Sequence, residues 1–393
     1  MTTFFETNKR YLMWAIYLIA ALLVIVWLQP LIVSKTPARL VQTTITGVLV
    51  GGIYGLIALG IVVINKASGV FNFAHGGMML LGGLIFYSFF SSGQISVLAA
   101  VLLSAITVIL AISMGGWREL LQPKQALIGA TIVIVLSALL SIGGPDFKFV
   151  RGIIGAATGA VLLGLVIERF TIRPLIGQPL FAMVLMTLAI ERLLQGFTQL
   201  AWGSVELPLQ VFASADGTAF STIKLTDLKD TLGGLVIIKP EFLIAFGLAL
   251  ASYVAFVLFF QFTNVGLAMR ATAENQRLGQ SIGLRVRVIL AVAWAIAALL
   301  ATVAGVLQGG VTNLSSNMPL LALSAFPAVL LGGLESITGA LIGGLIIGLL
   351  QEWANLLFQG TQAGTELAPY LVLMVVLVVK PDGLFGQKRI ERI

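Results

Sequence analysis

Thr43–Ile64 reads TTITGVLVGGIYGLIALGIVVI, 22 residues without a charged side chain. As a helix it would cover about 33 Å, enough to cross a hydrocarbon core of about 30 Å. Runs of this kind recur along the whole chain. Of its 393 residues, 59% are hydrophobic and only 10% charged, and mean hydropathy is +1.05. Soluble domains carry about 25% charged residues, so a soluble fold is excluded. The chain reads as an all-α polytopic integral membrane protein of about 10–12 transmembrane or broken helices. Its 43 glycines suit helices packed closely in lipid. The absence of cysteine excludes disulfides and thiolate chemistry and leaves the compartment open. A single histidine without cysteine argues against a zinc site.

Working outward, Tyr11–Val33 is a preceding span within an extra N-terminal region, residues 1–40. It lacks a small-residue cleavage site and reads as a retained helix rather than a signal peptide. After Ile64 the stretch Asn65–Gly77, NKASGVFNFAHGG, breaks the apolar pattern, and Met78–Phe90 is a short apolar piece. Ile95–Ser113, Gln125–Ile142 and Gly152–Ile167 suit spans, and Glu168–Pro179 reads as a basic turn. Leu180–Leu200, Glu241–Phe262 and Val288–Leu307 span again, with a long polar loop at residues 201–240. Pro319–Leu331 and Ile337–Leu350 are short runs separated by a Gly-rich break, and Leu367–Val379 is the last.

Twelve passes would put both termini on one side. With the termini in the cytosol, 15 of the 23 Lys and Arg fall inside. Seven fall outside (Lys35, Arg39, Lys148, Arg151, Lys224, Lys229 and Lys239), and Arg192 lies within a span. That excess favours cytosolic termini. Runs of about thirteen residues are too short for a full crossing and read as broken or re-entrant helices. Such backbone survives only against protein or a water-lined cavity, and paired breaks in two halves point to a substrate path. Ile45–Gly52, ITGVLVGG, echoes Ile337–Gly344, ITGALIGG. Gly-rich apolar helices, common in membranes, also produce such echoes by chance.

The most polar interruption is Gly266–Val288, GLAMRATAENQRLGQSIGLRVRV, which holds Arg270, Arg277, Arg285 and Arg287. Thr272 can cap a short helix over Ala273–Ile282, and Gly283 suits its left-handed end. Leu278 and Ile282 share a face, flanked by Glu274 and Arg277. A solvated loop obeying the positive-inside rule is one reading. A docking helix that passes force from a cytosolic partner is the other.

Polar residues inside the apolar runs are the remaining candidates. Asn72 and His75 sit in the first break. They either line a path or serve helix packing, Asn72 as a cap and His75 as a cross-helix bond. His75 has no nucleophile or acid partner in view for catalysis. Glu191 and Arg192 lie mid-span, where a charge costs about 2.5–3.5 kcal/mol on insertion scales. Adjacent residues point about 100° apart on a helix, so a simple mutual pair is not expected. They line a path, pair with another helix, or lie nearer the headgroups than the span boundaries suggest. Gly332–Gly339, with Ser336, is a second break or a plain turn, and Lys380–Gly386 is a helix stop.

Several of these stretches together resemble one family. Gly55–Gly60, GLIALG, followed by Phe71–Gly76, FNFAHG, is similar to the signature of LivH-like permease subunits of the branched-chain amino acid ABC transporters. So are Ile167-Glu-Arg with Arg173-Pro174, Arg270–Glu274 with Ile282-Gly283, and Ala304–Val306. Val329–Gly333 with Gly339–Gly343, and Lys380–Leu384, follow in the same order. The ordered set runs from about Val41 to the C-terminus.

The resemblance implies a permease subunit of a binding-protein-dependent importer in the bacterial cytoplasmic membrane, working by alternating access. It implies a second permease, LivM-like or a second copy, two cytosolic ATPases and an extracytoplasmic solute-binding protein. ATP and Mg would sit on the ATPases, with no cofactor on this chain and no nucleic acid. The chain has no GxxxxGK[ST] phosphate loop, which fits. Residues 264–288 would be the cytosolic coupling loop, with Ala273, Glu274, Arg277, Leu278, Ile282 and Gly283 at the ATPase. Asn72, His75, Glu191, Arg192 and Ser336 are the candidate path residues.

The chain departs from the family in an insertion, residues 94–150, in Glu335 and Thr338, and in Glu191–Arg192, where relatives are mostly uncharged. These put the solute in question, since related permeases move urea, short amides, aromatic acids or other small organics. A secondary transporter and an integral membrane enzyme are the rival readings.

Overall fold

The computed structural model describes residues 29–386 except 205, 214–219, 228, 275, 282 and 359–361. The expected first span, Tyr11–Val33, lies mostly outside them. Seven described helices are long and apolar enough to cross a membrane. Four shorter apolar stretches, His75–Ser91, Val97–Ile112, Met318–Gly332 and Leu367–Val379, accompany them.

In order, the helices are α1 (Pro37–Ser68), α2 (His75–Ser91), α3 (Val97–Ile112), α4 (Pro123–Ser141), α5 (Lys148–Val166) and α6 (Leu180–Trp202). Then come α7 (Pro240–Phe262), α8 (Asn264–Glu274), α9 (Gln276–Ser281) and α10 (Val286–Thr312). Last are α11 (Met318–Ser324), α12 (Phe326–Gly332), α13 (Ile337–Leu357) and α14 (Gln362–Val379). The long polar segment is not structureless. It holds a small antiparallel hairpin, β1 (Ile223–Leu225) with β2 (Val236–Ile238), Lys224 opposite Ile237.

The centre of the bundle is the α1–α13 pair. Gly47, Gly51 and Gly55 face Leu349, Leu345 and Leu341, so the helices run antiparallel. A Cβ on Gly344 would lie 2.2 Å from the backbone nitrogen of Gly55, and one on Gly51 2.7 Å from Leu345 Cα. Lipid tails are as apolar as leucine, so helix association here rests on close packing, which small residues permit. The two stretches that echo each other in sequence are thus packed on each other. Helix α10 crosses α2 with equal closeness, Gly82 on Thr302 and Gly305 on the Met79 carbonyl. It crosses α5 at Gly164 beside the fully buried Trp294. Helices α3, α4, α6, α7 and α14 lie outside this core and expose apolar side chains such as Leu98, Ile134, Phe197, Leu258 and Val375.

Two boundaries differ from expectation. Glu168–Pro179 is not simply a turn, because α5 continues through a π-helical segment, Ile167–Ile172. The wide segment brings Glu168 onto Arg173 in a bidentate pair, 2.9 and 2.7 Å, which stabilises the helix where a turn was expected. Pro319–Leu331 is two short helices, α11 and α12, meeting at Ala325.

Long-range contacts sort the helix ends. At one end Lys66 Nζ donates to the Glu335 carbonyl (3.0 Å), and Arg173 to that of Met114 (3.3 Å). Arg285 pairs with Glu119 there (2.9 Å), and Leu384 N–H bonds the Leu331 carbonyl (2.7 Å). This is the basic end. The tail Lys380–Gly386 is more than a helix stop, since it is tied under the end of α12 by Leu384 and Phe385. At the other end Leu207 pairs with Leu314, and Gly234 lies against Ala38.

Candidate functional site

Between α1 and α2 the chain is not helical. Gly69 ends α1 at φ +71, and α2 begins only at His75. The backbone groups freed there lie inside the bundle and need partners. One face of α6 supplies them. Thr187 Oγ accepts from Phe73 N–H (3.3 Å) and lies 3.2 Å from the Phe71 carbonyl. One turn on, Glu191 Oε2 accepts from Gly77 N–H at 2.7 Å. Asn72 serves its own loop, its Oδ1 accepting from Ala74 N–H (3.1 Å).

Glu191 therefore caps the N-terminus of α2 from another helix. Arg151 does the converse at the C-terminus. It is 1% exposed and donates to the carbonyls of Phe89 (2.8 Å), Ser92 and Ile142 (2.8 Å). A carboxylate at the N-terminus and a guanidinium at the C-terminus both match the helix dipole. A helix of 17 residues, about 25 Å long, is thereby closed at both ends.

The second break packs on the first. Phe326, opening α12, stacks on Phe71 and Phe73 with centroids 5.3 and 5.0 Å away. The Gly76 backbone touches Pro319 and Ala322 of α11. Ser336 N-caps α13, accepting from Gly339 N–H at 3.0 Å. Beside it, Asn65 Nδ2 holds the Leu334 carbonyl at 3.0 Å.

Asn72 and His75 are both wholly buried. His75 rests its ring on Gly60, where a Cβ would come within 2.3 Å of Cε1. Its ring nitrogens have no hydrogen-bond partner among the described residues, so the cross-helix bond considered above is not made. Glu191 and Arg192 diverge. Glu191 turns inward to Gly77, while Arg192 is exposed and donates to Gln195 Oε1 at 3.0 Å.

At the basic end, Thr272 does not cap a helix starting at Ala273. It lies within α8, its hydroxyl bonding back to the Ala268 and Met269 carbonyls (2.9 and 3.1 Å). The cap is Thr263, whose Oγ accepts from Gly266 N–H (3.0 Å), because the chain turns directly from α7 into α8. Arg270 caps the end of α7 through the carbonyls of Phe260 and Gln261. Met269 and Thr272 are buried against the bundle, Ala273 is half-buried, and Glu274 and Gly283 are exposed. Gly283 takes φ +88, the left-handed end expected there. The side chains of Arg277 and Leu278, and Ile282 entire, fall outside the described residues.

Two of the cavities differ in character. One of about 320 Å³ is apolar and lined by Phe86, Phe149, Phe212, Leu248 and Val306. The other, about 630 Å³, lies at the end opposite α8–α9 between Arg39, Gln42, Lys239 and Glu352. Thr187 and Arg151 were not singled out in sequence. Thr187 lies four residues before Glu191, hence on the same helical face, which was the available signal. Arg151 carried no such signal, since its partners are some 60 residues away in the chain for the α2 end.

The family described as branched-chain amino acid transport system permease component matches residues 105–379. The high-affinity branched-chain amino acid transport system permease protein LivH of Escherichia coli K12 is 24% identical over 355 residues, covering 90% of this chain and 97% of that protein. The corresponding permease protein BraD of Pseudomonas aeruginosa is 26% identical with the same coverage. The ribose import permease protein RbsC of Escherichia coli K12 is 32% identical, over 30% of this chain and 39% of its own. No solved structure matches.

Proposed function

The chain belongs to the family of branched-chain amino acid transport permease components, and from that premise we propose how it works and what it moves. It is the membrane-spanning subunit of an ATP-binding-cassette importer. Its solute is a branched-chain amino acid or a related small organic solute. It pairs with a second permease, LivM-like or a second copy, and with two ATPases that carry ATP and Mg. An extracytoplasmic binding protein delivers the solute. The basic end faces the cytosol, as the excess of Lys and Arg there favours.

The observation that carries the mechanism is the α8–α9 segment. It lies across the basic end, fixed to α7 through Arg270 and followed directly by α10. It leaves Glu274, Gln280 and Gly283 exposed. A push on it reaches α10, which packs on α1, α2 and α5, the core of the bundle. ATP binding by the partners displaces α8–α9, and the bundle rocks about the breaks at Gly69–Ala74 and Gly333–Ser336. Asn72, His75 and Ser336 hold those hinges, with Glu191 as the support across helices.

The test is reconstitution in liposomes with the cognate ATPases and binding protein. Leucine, isoleucine or valine uptake should require ATP and all components. Uptake by this chain without ATPases would favour the gradient-driven rival.

A further inference from the structure

Helix α6 has three sides. Thr187, Ile190, Leu194 and Thr198 face the bundle and are buried. Leu193, Phe197 and Leu200 are exposed and apolar, as a lipid-facing side should be. The third side carries Arg192, Gln195, Gly196 and Gln199 in the half of α6 towards Trp202, at steps of three and four residues that keep them on one stripe, and exposed Leu188 and Leu185 continue that stripe towards the other end. Arg192, Gly196 and Gln199 are exposed, Gln195 half so, and nothing lies within 4 Å of where a Gly196 Cβ would be.

The rotation of α6 is fixed independently. Thr187 holds Phe71 and Phe73, Glu191 holds Gly77, and Trp202 Nε1 donates to Ser88 Oγ at 2.9 Å. The stripe cannot turn inward without breaking these bonds. Nor is Arg192 at a helix end. It sits near the middle of a 23-residue helix, with about 15–18 Å of helix on either side. A charged and amide-bearing stripe at that depth is not a lipid surface; such residues face water-filled cavities or other protein.

We propose that this stripe is one wall of the solute path, completed by the second permease, and that Arg192 binds the carboxylate of the passing solute. The guanidinium fork matches a carboxylate, and Gln195 holds it in place from one turn away. The open space at Gly196 leaves room for the zwitterion, and the amides of Gln195 and Gln199 give its other groups hydrogen-bond partners in passage. The proposal rests on the permease reading and narrows its solute to one with a free carboxylate.

The chain has no cysteine, so single cysteines can be placed at will. In the assembled transporter, Gly196→Cys and Gln199→Cys should react with a charged methanethiosulfonate reagent, and Leu193→Cys and Phe197→Cys should not. Arg192→Gln should slow uptake of leucine by about tenfold or more, with much less effect on leucinamide, and Arg192→Lys should restore part of it. Binding of leucine to the binding protein and co-purification of the subunits should be unchanged. Equal labelling on both sides, or none on the stripe, overturns the proposal, as does leucine uptake by Arg192→Gln at the wild-type rate. Loss of co-purification overturns it too, assigning the carboxylate to a side chain of the second permease. A wild-type complex that moves no amino acid would instead sink the permease solute reading itself.

Discussion

Glu191 and Arg192 are neighbours in sequence and opposites in use. Glu191 faces inward and closes the N-terminus of α2, while Arg192 faces outward with only Gln195 as a described hydrogen-bond partner. The same division runs through the molecule. Inside, Thr187 serves the break and Arg151 the C-terminus of α2. Outside, Arg192 and Gln199 on the α6 stripe and Glu274 at the end of α8 are exposed. On the proposed reading, the inward groups hold the fold and the outward ones meet a partner or a solute.

Substitutions can break or sharpen that division. The largest effect is expected at glycines on the two sides. Gly344→Ala would drive a Cβ to 2.2 Å from the Gly55 nitrogen, at a cost of about 3 kcal/mol or more. Gly196→Ala meets open space and should leave the melting temperature of the detergent-purified chain unchanged or slightly raised. Arg151→Met comes next. It leaves the carbonyls of Phe89, Ser92 and Ile142 without their donor, for about 2–3 kcal/mol, read as a lower melting temperature.

Glu191→Ala strips the cap from α2 and should cost about 1–2 kcal/mol. Glu191→Gln, which keeps an acceptor oxygen, should recover most of that in the same measurement. Equal melting temperatures for Glu191→Ala and Arg192→Ala would erase the distinction between the two faces. The smallest stability change is expected at Glu274→Lys, within about 0.5 kcal/mol because the residue is exposed. Its uptake with the cognate ATPases should nevertheless fall about fivefold or more, as for a contact in the middle of an interface.

Much of the fold was legible beforehand, because apolar runs long enough to span leave little choice of structure. The breaks at Asn65–Gly77 and Gly332–Gly339 were visible for the same reason, as interruptions of that pattern. The π-helical segment at Ile167–Ile172 was not, since a basic turn and a helix held by Glu168–Arg173 share one composition. Thr272 misled because a threonine before a polar helix is an ordinary cap, while Thr263, set against the end of α7, filled that role. The divergence of Glu191 from Arg192 followed from helix geometry alone, but which of them faced inward depended on Gly77, 114 residues away.

The most direct measurement concerns the outward surface at the basic end. A single cysteine at Glu274, in the otherwise cysteine-free chain, can be probed in the assembled transporter. It should crosslink to an ATPase subunit and resist an impermeant thiol reagent added outside intact cells. Labelling from outside, or full ATP-driven uptake with no ATPase within crosslinking reach of that position, would contradict a bundle gripped and rocked through α8–α9.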